Sequence, residues 1–174
     1  MIHLKVPVNL NQLTTLTAGD RVLLSGTVYT ARDQAHIRLV NDSNPVFPLD
    51  NAVIYYVGPT PTKPHQIIGA SGPTSSYRMD ALSIPLMERG VKIMIGKGQR
   101  SAEFHKAMLK NNAVYLVTTG GAGALLSSKI KSHKVIMYPD LGAEAIHELV
   151  VKDFPCFVAY DLHGNSIFKG GTDQ

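Results

Sequence analysis

The chain has 174 residues, 44% hydrophobic and 17% charged, the make-up of one ordinary globular domain with a sizeable core and no disordered tail. A net charge of +4 and a pI near 9.2 would suit nucleic acid. The basic residues are scattered, however, and are not interleaved with Phe and Tyr, so the excess favours an acidic small molecule or an acidic partner protein. One cysteine, Cys156, excludes an internal disulfide and cannot alone hold zinc or an iron–sulfur cluster.

In chain order, Met1 to Leu10 alternates apolar and polar residues and lacks the continuous apolar segment of a signal peptide. No stretch approaches a membrane span, so a cytoplasmic protein is expected. Thr14 to Gly19 reads as a turn. Asp20 to Tyr29 reads as a strand with Gly26 placed for a bulge, and Asp33 to Asn41 as a helix with Asp33 in its favourable first turn. After a loop with two prolines, Ala52 to Val57 is a strand, and Gly58 to Pro64, with three prolines, is a stiff connection. His65 to Ala70 is expected to be a strand that delivers Ser71-Gly72-Pro73-Thr74-Ser75-Ser76-Tyr77-Arg78-Met79-Asp80.

That last stretch suits an anion. With Thr74, Ser75 or Ser76 as helix N-cap, free N–H groups and hydroxyls converge at a positive helix end, and Thr74 and Arg78 share one helix face. A capped helix with a surface arginine is the plain alternative. Met79 and Leu82 have the spacing of a buried helix face, and Pro85 is expected to start a second short helix that Gly90 stops. Val91 to Ile95 is a strand running into Gly96-Lys97-Gly98, and Ser101 caps a helix to about Leu109. Strands at Ala113 to Thr118, Lys134 to Tyr138 and Phe154 to Tyr160 come next, with a glycine-rich helix start at Gly120 to Leu126 and a turn at His163-Gly164-Asn165. Cys156, in an apolar run, reads as a buried thiol. Strands alternating with short helices make the fold α/β, and no internal repeat is present.

Ligand sites of α/β sheets gather beyond the carboxyl ends of strands, and three such segments here carry related chemistry. They hold Arg32, Asp33 and His36; Thr74 and Arg78; and Lys97. Three cations suit a dicarboxylate, and His36 or an activated Thr74 could move a proton. Competing motifs are weaker. Gly121-Ala122-Gly123 lacks the third glycine of a dinucleotide loop, and close helix-to-strand packing is its expected role. No histidine spacing suits a protein-held zinc.

The segments Ala31-Arg32-Asp33-Gln34-Ala35-His36, Gly72-Pro73-Thr74 with Arg78-Met79-Asp80, and Gly96-Lys97-Gly98 resemble, in order, the signatures of the beta subunit, or C-terminal domain, of iron–sulfur hydro-lyases. These are the class I fumarases and L-tartrate dehydratases. Gly142-Ala143-Glu144-Ala145-Ile146 and the Phe154-Pro155 strand extend the resemblance over most of the chain. It implies a swivelling β/β/α domain, with a mixed sheet and short flanking helices, over residues 1–174. It also implies a 4Fe-4S cluster held by a separate alpha subunit and not by this chain, a dicarboxylate substrate (fumarate and malate, or tartrate), and a hetero-oligomer inactive without the alpha subunit. Carried over by motif, Arg32, Arg78 and Lys97 resemble the substrate-binding cations, Thr74 the proton-transferring hydroxyl, and His36 the histidine sometimes given a catalytic role. Asp33 and Asp80 resemble carboxylates that support these groups, Asp33 counting with Thr74 and His36 as a catalytic candidate. Ser75, where the family often has threonine, and Tyr77 bear on substrate identity. Fumarate hydratase is the first expectation, with Asp80 after Arg78-Met79 as the reason, and L-tartrate dehydratase the near alternative. A carboxylate- or RNA-binding module without catalysis is the reading from another class, with steep salt dependence as its mark.

Overall fold

Apolar residues alternate along the central strands, and both sets are buried. In the computed structural model, which describes residues 1–118 and 123–168, β3 (Val53–Tyr55), β4 (Ile93–Gly96) and β5 (Val114–Val117) lie side by side and parallel. Val53, Tyr55, Ile93, Ile95, Val114 and Leu116 join one apolar cluster. Ile54, Met94 and Tyr115 join another on the opposite face. All nine are at most 1% exposed, the two-sided burial that parallel strands covered by helices require.

The sheet closes on itself. β2 (Arg21–Thr30) pairs β3 in parallel and β7 (Ile146–Tyr160) antiparallel, and β7 also pairs β5. The order β2-β3-β4-β5-β7 therefore forms a closed barrel within a seven-stranded sheet. β1 (Ile2–Lys5) and β6 (Ile130–Met137) extend it beside β2 and β7. Register slips between Leu24 and Gly26, the expected bulge.

Leu24, Val28, Tyr55, Ile95, Phe154 and Cys156 belong to the barrel cluster. Burial pushes the Cys156 thiol well above its ordinary pKa. Outside, α2 (Asp33–Asn41), α3 (Asp80–Glu88) and α4 (Ala102–Lys110) contribute Leu39, Leu86, Met87, Phe104 and Met108 to the second cluster. Two short helices, α1 (Leu10–Thr14) and α5 (Gly123–Ser127), complete a mixed α/β domain of the swivelling β/β/α kind.

Four local expectations are corrected. His65 to Ala70 is not a strand: His65 has φ 67°, the Gln66 N–H turns back to the Lys63 carbonyl, and Thr60 N–H reaches the Ala70 carbonyl at 3.0 Å, closing an irregular loop. Thr74 is not in a helix and caps none. Its N–H donates to the Tyr56 carbonyl and Ser75 pairs with Lys97, so sheet extension outcompetes local capping. The helix begins only at Asp80, after a 3-10 turn over Tyr77–Met79. Pro85 starts no second helix and sits inside α3, where burial of Leu86 and Met87 offsets the lost hydrogen bond. In the glycine-rich stretch, Gly123 packs on the loop at Gly72 rather than on a strand, and residues 119–122 lie outside the described residues.

Candidate active site

Because β2, β3 and β4 are parallel, the segments leaving their carboxyl ends emerge at one rim of the barrel. Arg32 is the N-cap of α2, extended at φ −109°. Its carbonyl accepts the His36 N–H at 2.9 Å and His36 Nδ1 at 2.8 Å. A carbonyl only accepts, so Nδ1 carries the proton. Burial pushes the His36 pKa down to about 4, outweighing the opposing hydrogen bond to Arg32, and the ring is neutral near pH 7.

After β3 the chain loops out and returns through Ser71–Ser76. Thr74 N–H and Oγ1–H both donate to the Tyr56 carbonyl, at 2.9 Å and 3.2 Å. Both hydroxyl lone pairs stay available. Ser76 N–H donates to the Lys97 carbonyl at 3.1 Å, and the Lys97 N–H donates to Ser76 Oγ at 2.9 Å. A Cβ on Gly96 would lie 1.8 Å from that Oγ, so only glycine lets the Thr74 segment dock along the end of β4.

Charged side chains meet here as loose pairs. Arg78 Nη2 lies 3.5 Å from Asp33 Oδ1 and Arg32 Nε 3.9 Å from Glu144 Oε1. Arg32 Nε, Asp33 Oδ1 and Glu144 Oε1 are shielded from solvent yet make no hydrogen bond. The side chains of Arg32, Asp33 and Glu144 are 28–29% exposed and that of Arg78 43%, so the rim is open on one side. The arrangement can bind a multiply charged anion and offers one hydroxyl that both donates and accepts.

The structure thus gathers Arg32, Asp33, Thr74, Arg78 and Lys97 at one rim, with His36 buried behind Arg32. Asp80 does not reach the rim. Its carboxylate takes Arg100 Nε and, at 2.6 Å, the Ser101 N–H, tying α3 to α4. Glu144 enters from a pair of 3-10 turns over Pro139–Glu144, kinked at Gly142. Its contact with Arg32, the Tyr56 carbonyl under Thr74 and the buried Arg100 carry no sequence signal that separates them from ordinary surface or core residues. A cavity of about 520 Å³ beside α4 is lined by Ser101, His105 and Asn165 and by none of the rim cations; the rim is preferred for its chemistry.

Fold and rim together define a mixed α/β barrel domain with arginine, lysine and carboxylate residues gathered at one edge. The chain belongs to the family described as Fumarase C-terminus, which it matches over residues 1–171. It is 37% identical over 166 residues to an Escherichia coli (strain K12) protein named fumarate hydratase class I, aerobic, covering 92% of this chain and 30% of that relative. It is 34% identical over 176 residues to fumarate hydratase 2 of Leishmania major, covering 97% and 31%. Against a Methanocaldococcus jannaschii protein named putative L(+)-tartrate dehydratase subunit beta, identity is 36% over 165 residues, covering 88% and 84%. The chain spans about a third of the fumarate hydratases it matches and most of the beta subunit.

Proposed function

We propose that this chain is the substrate-clamping beta subunit of a two-subunit hydro-lyase, with reversible hydration of fumarate to L-malate as the first assignment and L-tartrate dehydration as the second. The observation that carries it is the shared rim: Arg32, Arg78 and Lys97 beside one half-buried threonine, in a chain whose relatives bear hydro-lyase names. The match over 84% of a protein named as a beta subunit supports a separate chain.

In this reading two carboxylates are held by the cations, the arginines gripping as planar forks and Lys97 as a point charge. Holding both ends fixes the reacting carbons against Thr74. The Thr74 hydroxyl transfers the proton at carbon, and cations around it lower the cost of its alkoxide. Asp33 balances Arg78. His36, neutral and buried, acts by fixing the Arg32 backbone and does not touch substrate.

A 4Fe-4S cluster does not fit the residues of this chain. Its single cysteine is 2% exposed among barrel apolar residues, with the thiol held protonated. No group of three or more His, Cys, Asp or Glu among the described residues could hold a metal. In this reading the cluster belongs to an alpha subunit, and no proton step above passes through it.

The test is co-purification with a cysteine-bearing alpha chain, followed by turnover of the pair on fumarate, malate and L-tartrate. The chain alone should be inactive and the pair active on fumarate and malate. Activity on tartrate alone would install the second assignment. An inactive pair, or steeply salt-dependent RNA binding by this chain without any alpha partner, would overturn the enzyme reading.

A further inference from the structure

The loosest contact at the rim has the most support around it. Arg32 Nε and Glu144 Oε1 are both shielded, both without a hydrogen-bond partner, and 3.9 Å apart. That is too far for a hydrogen bond and near enough for strong attraction in a half-buried setting.

Everything on either side of this gap is pinned. A Cβ on Gly58 would lie 2.9 Å from Arg32 Cδ, 3.0 Å from its Nη1 and 3.2 Å from the Ala143 carbonyl. The Arg32 side chain therefore runs close over the bare backbone of Gly58, beside the turn that carries Glu144. Arg38 grips Asp140 of that turn with two hydrogen bonds of 2.8 and 2.6 Å, and Tyr138 OH, at its start, donates to Asp42 at 3.0 Å. At its end the Ala145 carbonyl accepts from Thr30 Oγ1 at 3.4 Å, and Thr30 Oγ1 in turn accepts the His147 N–H at 3.0 Å. Thr30 is two residues before Arg32, so the turn and the Arg32 backbone share one anchor.

From this geometry we infer that Glu144 is the positioning residue for Arg32. Its carboxylate faces the guanidinium at Nε, which leaves the Nη1/Nη2 edge free to serve as a fork for one substrate carboxylate. Glu144 itself touches no substrate. Its negative charge is what the role requires, because the carboxylate meets the guanidinium across 3.9 Å without a hydrogen bond. The inference rests on the reading of Arg32 as a carboxylate anchor and adds the residue that aims it.

Two measurements test it. In 1H–15N spectra of the chain itself, the Arg32 Nε–H should exchange slowly with water, and Glu144→Gln should speed that exchange by about tenfold, with Glu144→Asp in between. In the reconstituted pair, with fumarate or whichever of fumarate and L-tartrate it turns over, Glu144→Gln should raise KM by about tenfold and change kcat by less than about threefold, the mark of lost substrate alignment. Added to Arg32→Lys, which has no fork to aim, Glu144→Gln should do almost nothing more. Unchanged exchange and unchanged KM in Glu144→Gln, with Arg32→Lys impaired, would overturn the role of Glu144 and leave the anchor reading standing. An Arg32→Lys enzyme with normal KM would remove both.

Discussion

Two arginine–carboxylate groups drawn from neighbouring elements behave as opposites. Beneath the rim, the Arg100 side chain is fully buried and satisfied. Nε donates to Asp80, both Nη groups reach Tyr56 OH at 3.3 Å, and the guanidinium lies 3.5 Å over the Phe104 ring. At the rim, Arg32 and Arg78 face Glu144 and Asp33 across 3.9 and 3.5 Å, with three polar atoms unbonded. The first group has used its hydrogen-bonding capacity on the protein, so it is a strut. The second has capacity left over, which is what the proposed receptor role requires.

Breaking the strut should have the largest effect. Arg100→Met leaves Asp80 without its charge partner in a nearly buried place, and urea denaturation of the chain should show a loss of about 3–5 kcal/mol. A loss under about 1 kcal/mol would mean that the cluster is not structural. On the receptor side, Thr74→Val keeps shape and removes the hydroxyl. In the reconstituted pair kcat should drop by about a hundredfold or more with KM nearly unchanged, while the denaturation midpoint of the chain stays put. Near-normal turnover in Thr74→Val, alongside an inactive but folded His36→Asn, would hand proton transfer to His36 or to a group it orients.

The smallest effect concerns the residue between the two groups. With its folded pKa near 4, below the ordinary value of 6.5, His36 binds a proton more readily in the unfolded chain. Its contribution is complete above pH 6.5 and is lost as pH falls toward 4, roughly 2 kcal/mol between pH 7 and pH 5. His147, also held down to about 4 by burial, adds a similar slope. The informative quantity is therefore the difference between wild type and His36→Asn. Equal pH slopes for the two would mean that His36 is not kept neutral by burial.

Local chemistry was legible where it acts locally. The helix at Asp33 to Asn41 and the Ser101 cap occur where the sequence puts them, because an acidic first turn and a capping serine act over three or four residues. The strand ends that carry Arg32 and Lys97 were equally plain. Thr74 stands out in sequence as a candidate, yet its backbone does not, since its partner, the Tyr56 carbonyl, is 18 residues away in the chain. The first half of β7 mixes His147, Glu148 and Lys152 among apolar residues and reads as no strand alone; antiparallel pairing to β2 makes it one. Glu144 shows in the sequence only as part of a resembling segment, because nothing near it in the chain reveals Arg32 on the other side of the gap.

The seam between β2 and β7, where Arg21 pairs with Phe157, also governs how the molecule comes into being. A ribosome releases β2, β3, β4 and β5 first, as a curved sheet whose two outer strands present raw backbone to the cell. Both edges are covered in a single event, when β7 emerges and slots between them. Until then the nascent chain holds most of its apolar residues and two sticky margins, the condition under which chains pair with one another. A stalled or prematurely ended polypeptide lacking β7 would leave both margins open and is expected to aggregate rather than to form a smaller working domain.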